Sequence, residues 1–331
     1  LEGDEGCAVA MDPKSGAVRA LVSAPAYDPN DFVMGYTSSA WEAVNNDESQ
    51  PLYNRFLATW VPGSVFKPVT AAIGLTNKSL DPDEDMKQEG LSWQKDSSWG
   101  NYEVTTLADY PVKNLKNALI YSDNIYFAKA AVNMGEEAFT KGLDALGFTE
   151  TLAFDFALKA STYGSEGTLA SEAELADSAY GQGKILVNPL HLASIYSAFV
   201  NDGNMIRPYL TGDEAGTFWK EHVFTEEAAQ TVLTDLYQVV EDPNGTAHEA
   251  YRTEYRLAGK TGTAEIKDSK EDTNGTELGW FVGISQADTD KPLLLVMMIE
   301  DVKGRGGSHY VIPKAMTGFD VYNKGEVEHE G

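Results

Sequence analysis

Pro62-Gly63-Ser64-Val65-Phe66-Lys67-Pro68 is the stretch on which the reading of this chain turns. A proline inside an α-helix clashes with the carbonyl four residues earlier, here that of Ser64, so Pro68 is tolerated only in a first turn. The helix must therefore begin close to Ser64, with Lys67 one turn on and on the same face. A serine hydroxyl is a poor nucleophile until a base takes its proton. A lysine is such a base only when neutral. Burial, the positive end of a helix and a second nearby cation all lower its pKa. The same helix terminus offers N–H groups to a developing oxyanion. Taken alone, the pattern is common enough that an N-cap serine followed by a solvated lysine would be the better reading.

Two further motifs lie downstream. Ser122-Asp123-Asn124 interrupts the apolar run from Leu119 to Phe127. Buried polar groups must find partners. Either the triplet supplies a hydroxyl that relays a proton and an amide that grips a substrate backbone, or it caps a helix, since all three residues are good N-caps. Lys260-Thr261-Gly262-Thr263 falls in a strand pattern. There Lys260 and Gly262 point to one face, Thr261 and Thr263 to the other. On an edge facing a cleft, Gly262 would remove bulk so that a peptide can approach. Lys260 would supply charge for a carboxylate, and the threonines hydroxyls. The plain alternative is an edge strand with a gatekeeping lysine.

The rest of the chain gives the setting. Residues 6–11 and 17–24 are apolar and β-rich around Asp12-Pro13-Lys14-Ser15-Gly16, which predicts a hairpin. Residues 25–62 show no clear periodicity and read as a surface excursion. Helical spacing covers 64–76, 114–134 with a turn near Ser122, 136–146, 189–202 and 225–240. The 158–176 stretch reads as a loop. Strand patterns return at 255–266, 278–285 and 292–301, followed by a helix over 312–323 and a polar tail. The fold class is α+β: one antiparallel sheet built from both chain ends, flanked by helices, with a mostly helical subdomain inserted. As a single domain, it divides into a sheet subdomain over 1–62 and 245–331 and a helical subdomain over 63–244. A site is expected in the cleft between them.

The 331 residues are 42% hydrophobic and 11% aromatic, enough for a sizeable core, with a formal charge of −26. That charge argues against nucleic acid and anionic lipid as partners. The lone Cys7 lies in an apolar strand and reads as a packed thiol. The five histidines, among them His191 and His309, do not pair at ligand spacing, so no metal and no cofactor is expected. No stretch reaches the roughly 18 apolar residues of a membrane span.

Ser-x-x-Lys, Ser-Asp-Asn and Lys-Thr-Gly in this order form the signature of penicillin-binding proteins and class A β-lactamases. Spacings of about 60 and then about 140 residues suit a helical insertion between the first motif and the third. The chain resembles the transpeptidase domain of class B penicillin-binding proteins, most of all the low-affinity, methicillin-resistance type of Gram-positive bacteria. Ala10-Met11-Asp12-Pro13-Lys14-Ser15-Gly16, Pro51-Leu52-Tyr53-Asn54-Arg55-Phe56, Tyr180-Gly181-Gln182-Gly183, Asn188-Pro189 and Gly279-Trp280-Phe281 carry the likeness beyond the motifs.

The resemblance implies a peptidoglycan D,D-transpeptidase that also binds β-lactams covalently at Ser64. Ser64 would attack the penultimate D-Ala carbonyl of a stem peptide, Lys67 would take its proton, and Ser122 and Lys260 would pass it to the leaving D-Ala. Asn124 would bind the substrate amide and Thr261 and Thr263 its carboxylate, with Gln182 lining the cleft. The N–H groups of Ser64 and Thr263 would form the oxyanion hole. An acceptor amine would then release the acyl group as a cross-link. The resemblance further implies an extracytoplasmic location, an anchor and a non-catalytic domain ahead of residue 1, a partner glycosyltransferase, and slow acylation by drugs. A β-lactamase would need a positioned carboxylate for water; Glu166, Glu172 and Glu174 in the 158–176 stretch lack the Glu-x-x-Leu-Asn pattern of class A enzymes. A β-lactam sensor, expected to be shorter and without the 25–62 excursion, is the reading from a different class.

Overall fold

The computed structural model describes residues 1–212, 215–266, 275–287, 289 and 291–324. Strands β1 (Gly6–Met11) and β2 (Val18–Ala24) form the N-terminal hairpin. Helices α1 (Pro29–Met34) and α2 (Ser38–Asn45) follow, then α3 (Lys67–Thr76). A small hairpin pairs β3 (Ser92–Trp93) with β4 (Val104–Thr105) ahead of α4 (Leu115–Ile120), α5 (Asn124–Met134) and α6 (Glu136–Ala145). Helices α7 (Glu172–Ala179) and α8 (Pro189–Ser197) lead to a second hairpin, β5 (Met205–Ile206) and β6 (Phe218–Lys220). Helix α9 (Glu226–Glu241), strands β7 (Leu257–Ile266), β8 (Thr276–Ser285) and β9 (Leu293–Ile299), and helix α10 (Ser308–Lys324) complete the chain.

The main sheet has the order β2-β1-β9-β8-β7, antiparallel throughout, so the N-terminal hairpin joins the C-terminal meander through β1 and β9. Both faces of β8 and β9 are covered, which is why their sequences run apolar without alternation. On β8, Gly279, Phe281 and Gly283 meet α10 at Val311 and Phe319. Trp280 points the other way and donates from Nε1 to Val61 O at 3.0 Å. Strand β7 lies at the sheet edge, with α9 and the turn at 63–66 packed on it.

The expected strands and most helices stand within a few residues of their predicted places. Four differ. The 25–62 excursion contains α1 and α2, each opened by a side-chain cap, Asp28 to Asn30 N–H and Thr37 to Ala40 N–H. Neither buries a residue, and with six and eight residues each is too short for a helical period to be read over several turns. Helix α7 begins inside the expected loop, where Ser171 caps Glu174 N–H. Helix α10 starts at Ser308, with Pro313 in its second turn; the predicted polar tail, apart from Lys324, lies outside the described residues. Helix α3 starts at Lys67 rather than at Ser64, for a reason that belongs to the site. Among the described residues, no helix is long and apolar enough to cross a membrane.

Candidate active site

Residues Gly63–Phe66 form a 3-10 turn that runs into α3. The Lys67 N–H donates to Ser64 O, closing a three-residue rather than a four-residue ring. The proline is the reason. Pro68 has no N–H for Ser64 O and its ring would crowd that carbonyl in an α-helix, so the α-helix can start only after Ser64. Lys67 nonetheless stands one turn beyond Ser64, as the sequence requires.

The turn is held on several sides. Gly63 N–H donates to Gly181 O at 2.8 Å, and Tyr196 O–H to Val65 O at 2.6 Å. Trp280 fixes Val61 just ahead of it. Glycines allow the close approach. A Cβ on Gly181, whose φ is +82°, would lie 2.0 Å from Gly63 O; one on Gly63 would lie 2.5 Å from Thr263 O. A Cβ on Gly262 would lie 2.9 Å from both Pro62 O and Val65 N. The room that Gly262 leaves is thus filled by the turn that carries Ser64, where the sequence had suggested an opening for a peptide. Lys260, Gly262 and that turn share one side of β7.

Ser122 sits between α4 and α5 with φ +55°, a left-handed conformation that costs a non-glycine residue about 1–2 kcal/mol. Asp123 supplies the reason it is tolerated. Its Oδ1 accepts from Ile125 N–H and Tyr126 N–H and caps α5, while its own N–H returns to Ala118 O at the end of α4. The capping reading holds: Asp123 is the cap, and the turn it closes swings Ser122 toward the lysines.

Lys67 Nζ lies 2.9 Å from Ser64 Oγ, 3.1 Å from Ser122 Oγ and 2.5 Å from Ser122 O. Lys260 Nζ lies 2.9 Å from Ser122 Oγ and 3.1 Å from Thr261 O. Both lysines are fully buried. Burial lowers the pKa of Lys67 well below its ordinary value, and the charge of Lys260 adds to the effect while that of Asp123 opposes it. Burial alone brings Lys260 down to about 7. As an ammonium, Lys67 could donate to all three oxygens; as a neutral amine, it has a lone pair for one hydroxyl proton. The unbroken line Ser64 Oγ, Lys67 Nζ, Ser122 Oγ, Lys260 Nζ is therefore a path along which a proton can move.

The remaining predicted residues lie around this line. Asn124 Nδ2 donates to Thr105 O at 2.9 Å. Gln182 Nε2 lies 3.4 Å from Thr263 O and so reaches β7 from the α7–α8 connection. Thr263 Oγ1 accepts from Ser308 N–H at 3.2 Å at the start of α10. Thr261 Oγ1 lies 2.9 Å from Thr246 Oγ1, and Thr246 N–H donates to Ile120 O, joining β7 to the end of α4. Thr246, Tyr196 and Tyr110 escape the sequence reading, because nothing local distinguishes them from other buried or capping side chains. His191 is buried between Ser161 Oγ and Leu146 O, and burial takes its pKa down to about 4. Cys7 is buried, its pKa raised by the same cause. Of the carboxylates weighed for water activation, Glu172 binds Trp99 Nε1 and Lys95, and Glu174 accepts from Ala170 N–H.

A family model described as "Penicillin binding protein transpeptidase domain" matches residues 6–316. Penicillin-binding protein 3 of Bacillus subtilis is 46% identical over 322 residues, covering 96% of this chain and 48% of its own length. The peptidoglycan D,D-transpeptidase MrdA of Haemophilus influenzae is 27% identical, covering 97% of this chain and 53% of its own. The chain thus spans about half the length of these curated relatives. Among solved structures, the D,D-transpeptidase domain of the peptidoglycan glycosyltransferase from Eggerthella lenta superposes with a TM-score of 0.79 at 28% identity, over 97% of this chain and 79% of that one. The PBP2 of Pseudomonas aeruginosa, solved with WCK 5153, gives 0.81 at 25% identity over 99% and 77%.

Proposed function

Because the chain belongs to the penicillin-binding protein transpeptidase family, we propose that it is a serine D,D-transpeptidase that cross-links peptidoglycan stem peptides and is acylated by β-lactams at Ser64. The observation that carries the reading is the buried Lys67 Nζ at 2.9 Å from Ser64 Oγ, with its pKa well below the ordinary lysine value. A neutral lysine in that place takes the hydroxyl proton as Ser64 Oγ bonds to the penultimate D-Ala carbonyl carbon. The C–N bond to the terminal D-Ala breaks next. Its nitrogen needs a proton, which Ser122 Oγ–H can give and recover from Lys67, with Lys260 beside it holding the relay hydroxyl in place. An acceptor amine from a second stem peptide reverses the sequence, so that no net proton is gained or lost by the protein.

In this reading Asn124 binds the donor amide, Thr261 and Thr263 the terminal carboxylate, Gln182 lines the cleft, and the N–H groups of Ser64 and Thr263 hold the oxyanion. Gly262 acts by letting the Ser64 turn approach β7. The substrate lies outside the cytoplasmic membrane, and so does this domain. A glycosyltransferase supplies the glycan strands that carry the peptides. Slow acylation of the resistance type fits a Ser64 turn held by close glycine contacts, since any opening of the turn must move three backbone segments together.

Intact-protein mass spectrometry after incubation with benzylpenicillin, beside a Ser64→Ala variant, tests the proposal. A lasting adduct of one drug mass on the native chain and none on the variant is expected. Drug hydrolysis without a lasting adduct would point to a β-lactamase, and neither adduct nor hydrolysis would overturn the acyl-serine reading.

A further inference from the structure

The segment ahead of α4 has no part in the chemistry above, yet it reaches Asp123, the carboxylate that, among the described residues, acts on Lys67. Tyr110 is buried, and its O–H donates to Asp123 Oδ2 at 2.7 Å. Its ring stacks on Tyr121, with centroids 4.5 Å apart and planes 10° from parallel. Lys113 Nζ stands 3.8 Å from the centre of the Tyr110 ring and pairs with Asp109 at 2.7 Å. Lys113 N–H is tied to Asp85 Oδ1. The ring is therefore fixed by Tyr121 and Lys113, and its hydroxyl is aimed.

Asp123 is 1% exposed. Its Oδ1 takes two backbone N–H groups at the start of α5, and Oδ2 takes the Tyr110 hydroxyl. This carboxylate has two effects on the site. As the cap of α5, it holds the left-handed turn at Ser122. As a buried charge, it favours the ammonium form of Lys67 against burial and Lys260. An O–H dipole pointed at the carboxylate offsets part of the field that Lys67 feels, and it restricts where the carboxylate can turn.

We infer that Tyr110 is a positioning residue for acyl transfer, which acts through Asp123 to hold the Ser122 turn and to set the pH range in which Lys67 serves as base. The inference rests on the acyl-serine reading above. The other charged and titratable groups near the pair are Lys260 on β7, Lys129 and Tyr126 on α5, and Lys113 over the Tyr110 ring. Asp235 of α9, with Asp81 and Glu84, acts on Tyr126, while Asp177 of α7 is engaged by Tyr102 and Tyr180. None of these donates to Asp123 Oδ2, so Tyr110 is the hydroxyl whose removal changes that carboxylate.

The test is the rate of Ser64 acylation by a chromogenic cephalosporin from about pH 5.5 to about pH 9, in the full chain and in Tyr110→Phe, Asp123→Asn and the double variant. Phenylalanine keeps the stacked ring, and asparagine keeps the cap. In Tyr110→Phe the acid limb should move up by about half a pH unit or more, a slowing of roughly 3-fold at fixed pH on that limb that fades toward the alkaline side. In Asp123→Asn the limb should move down, and adding Tyr110→Phe should then displace it no further. Equal slowing at every pH, or a further displacement in the double variant, would show that Tyr110 merely supports the fold. Should Tyr110→Phe fail to fold, the Asp123→Asn curve decides, because an unmoved limb removes the intermediary. A wild-type chain that forms no adduct at all would overturn the acyl-serine reading, and this inference with it.

Discussion

Lys260→Met separates the energetic burden of the site from its chemistry. Lys260 is fully buried, and its pKa falls from the ordinary 10.5 to about 7. Below about pH 7 folded and unfolded chains both carry the proton, and burying that charge costs roughly 4–5 kcal/mol at about 1.4 kcal/mol per pH unit of the gap. Between pH 7 and 10.5 the unfolded chain binds more protons than the folded one, so this lysine's contribution to stability rises with pH. At about pH 8.5 the remaining cost is roughly 3 kcal/mol. Methionine has similar bulk and no proton, and Lys67 stays buried in both proteins. The variant also loses the bonds to Ser122 Oγ and Thr261 O, a loss that does not depend on pH to first order. Relative to Lys260→Met, the wild type should therefore gain about 2 kcal/mol between about pH 6 and about pH 8.5, while the variant loses acylation at both. Reversible urea unfolding at the two pH values measures the difference. A gap that stays constant, or moves the other way, would mean that Lys260 keeps its proton in the folded state and that burial does not lower its pKa.

Two other substitutions test how the Ser64 turn is held. Gly181→Ala places a methyl group 2.0 Å from Gly63 O at a left-handed φ, so thermal unfolding should show a loss of roughly 2–5 kcal/mol, and acylation of Ser64 should slow with it. Tyr196→Phe removes a buried O–H from Val65 O, which should cost about 1–3 kcal/mol in a denaturant titration and leave the pH dependence of acylation where it was.

The differences between sequence and structure have identifiable physical sources. Pro68 constrains its own neighbourhood, and so the start of the helix near Ser64 is legible locally, down to one turn. The capping role of Asp123 and the placement of Ser122 beside the lysines cannot be separated in sequence, because one short turn performs both. Gly262 reads as an opening for a ligand, since a missing side chain signals close approach without saying what approaches; in the fold it is Pro62 and Val65. Helices α1 and α2 are held by Asp28 and Thr37 caps, bury nothing and span only six and eight residues, too few for apolar periodicity to identify them. Tyr110 is twelve residues from Ser122 with an unremarkable local sequence, and its partner becomes visible only when Asp123 is placed.

What this sequence determined by itself is therefore the inventory and the order: three motifs, the strands and helices beside them, and a sheet assembled from both ends of the chain. These follow from local sterics and from apolar spacing along a few turns, which act within ten or fifteen residues. What only the tertiary structure decided is the meeting of Ser64, Lys67, Ser122 and Lys260, the lowered pKa that burial gives the two lysines, and the filling of the space at Gly262. Those depend on contacts between residues 55 to 219 positions apart, such as Lys67 to Ser122 and Val61 to Trp280. Desolvation and close packing are properties of the assembled interior, so no local stretch of sequence carries them.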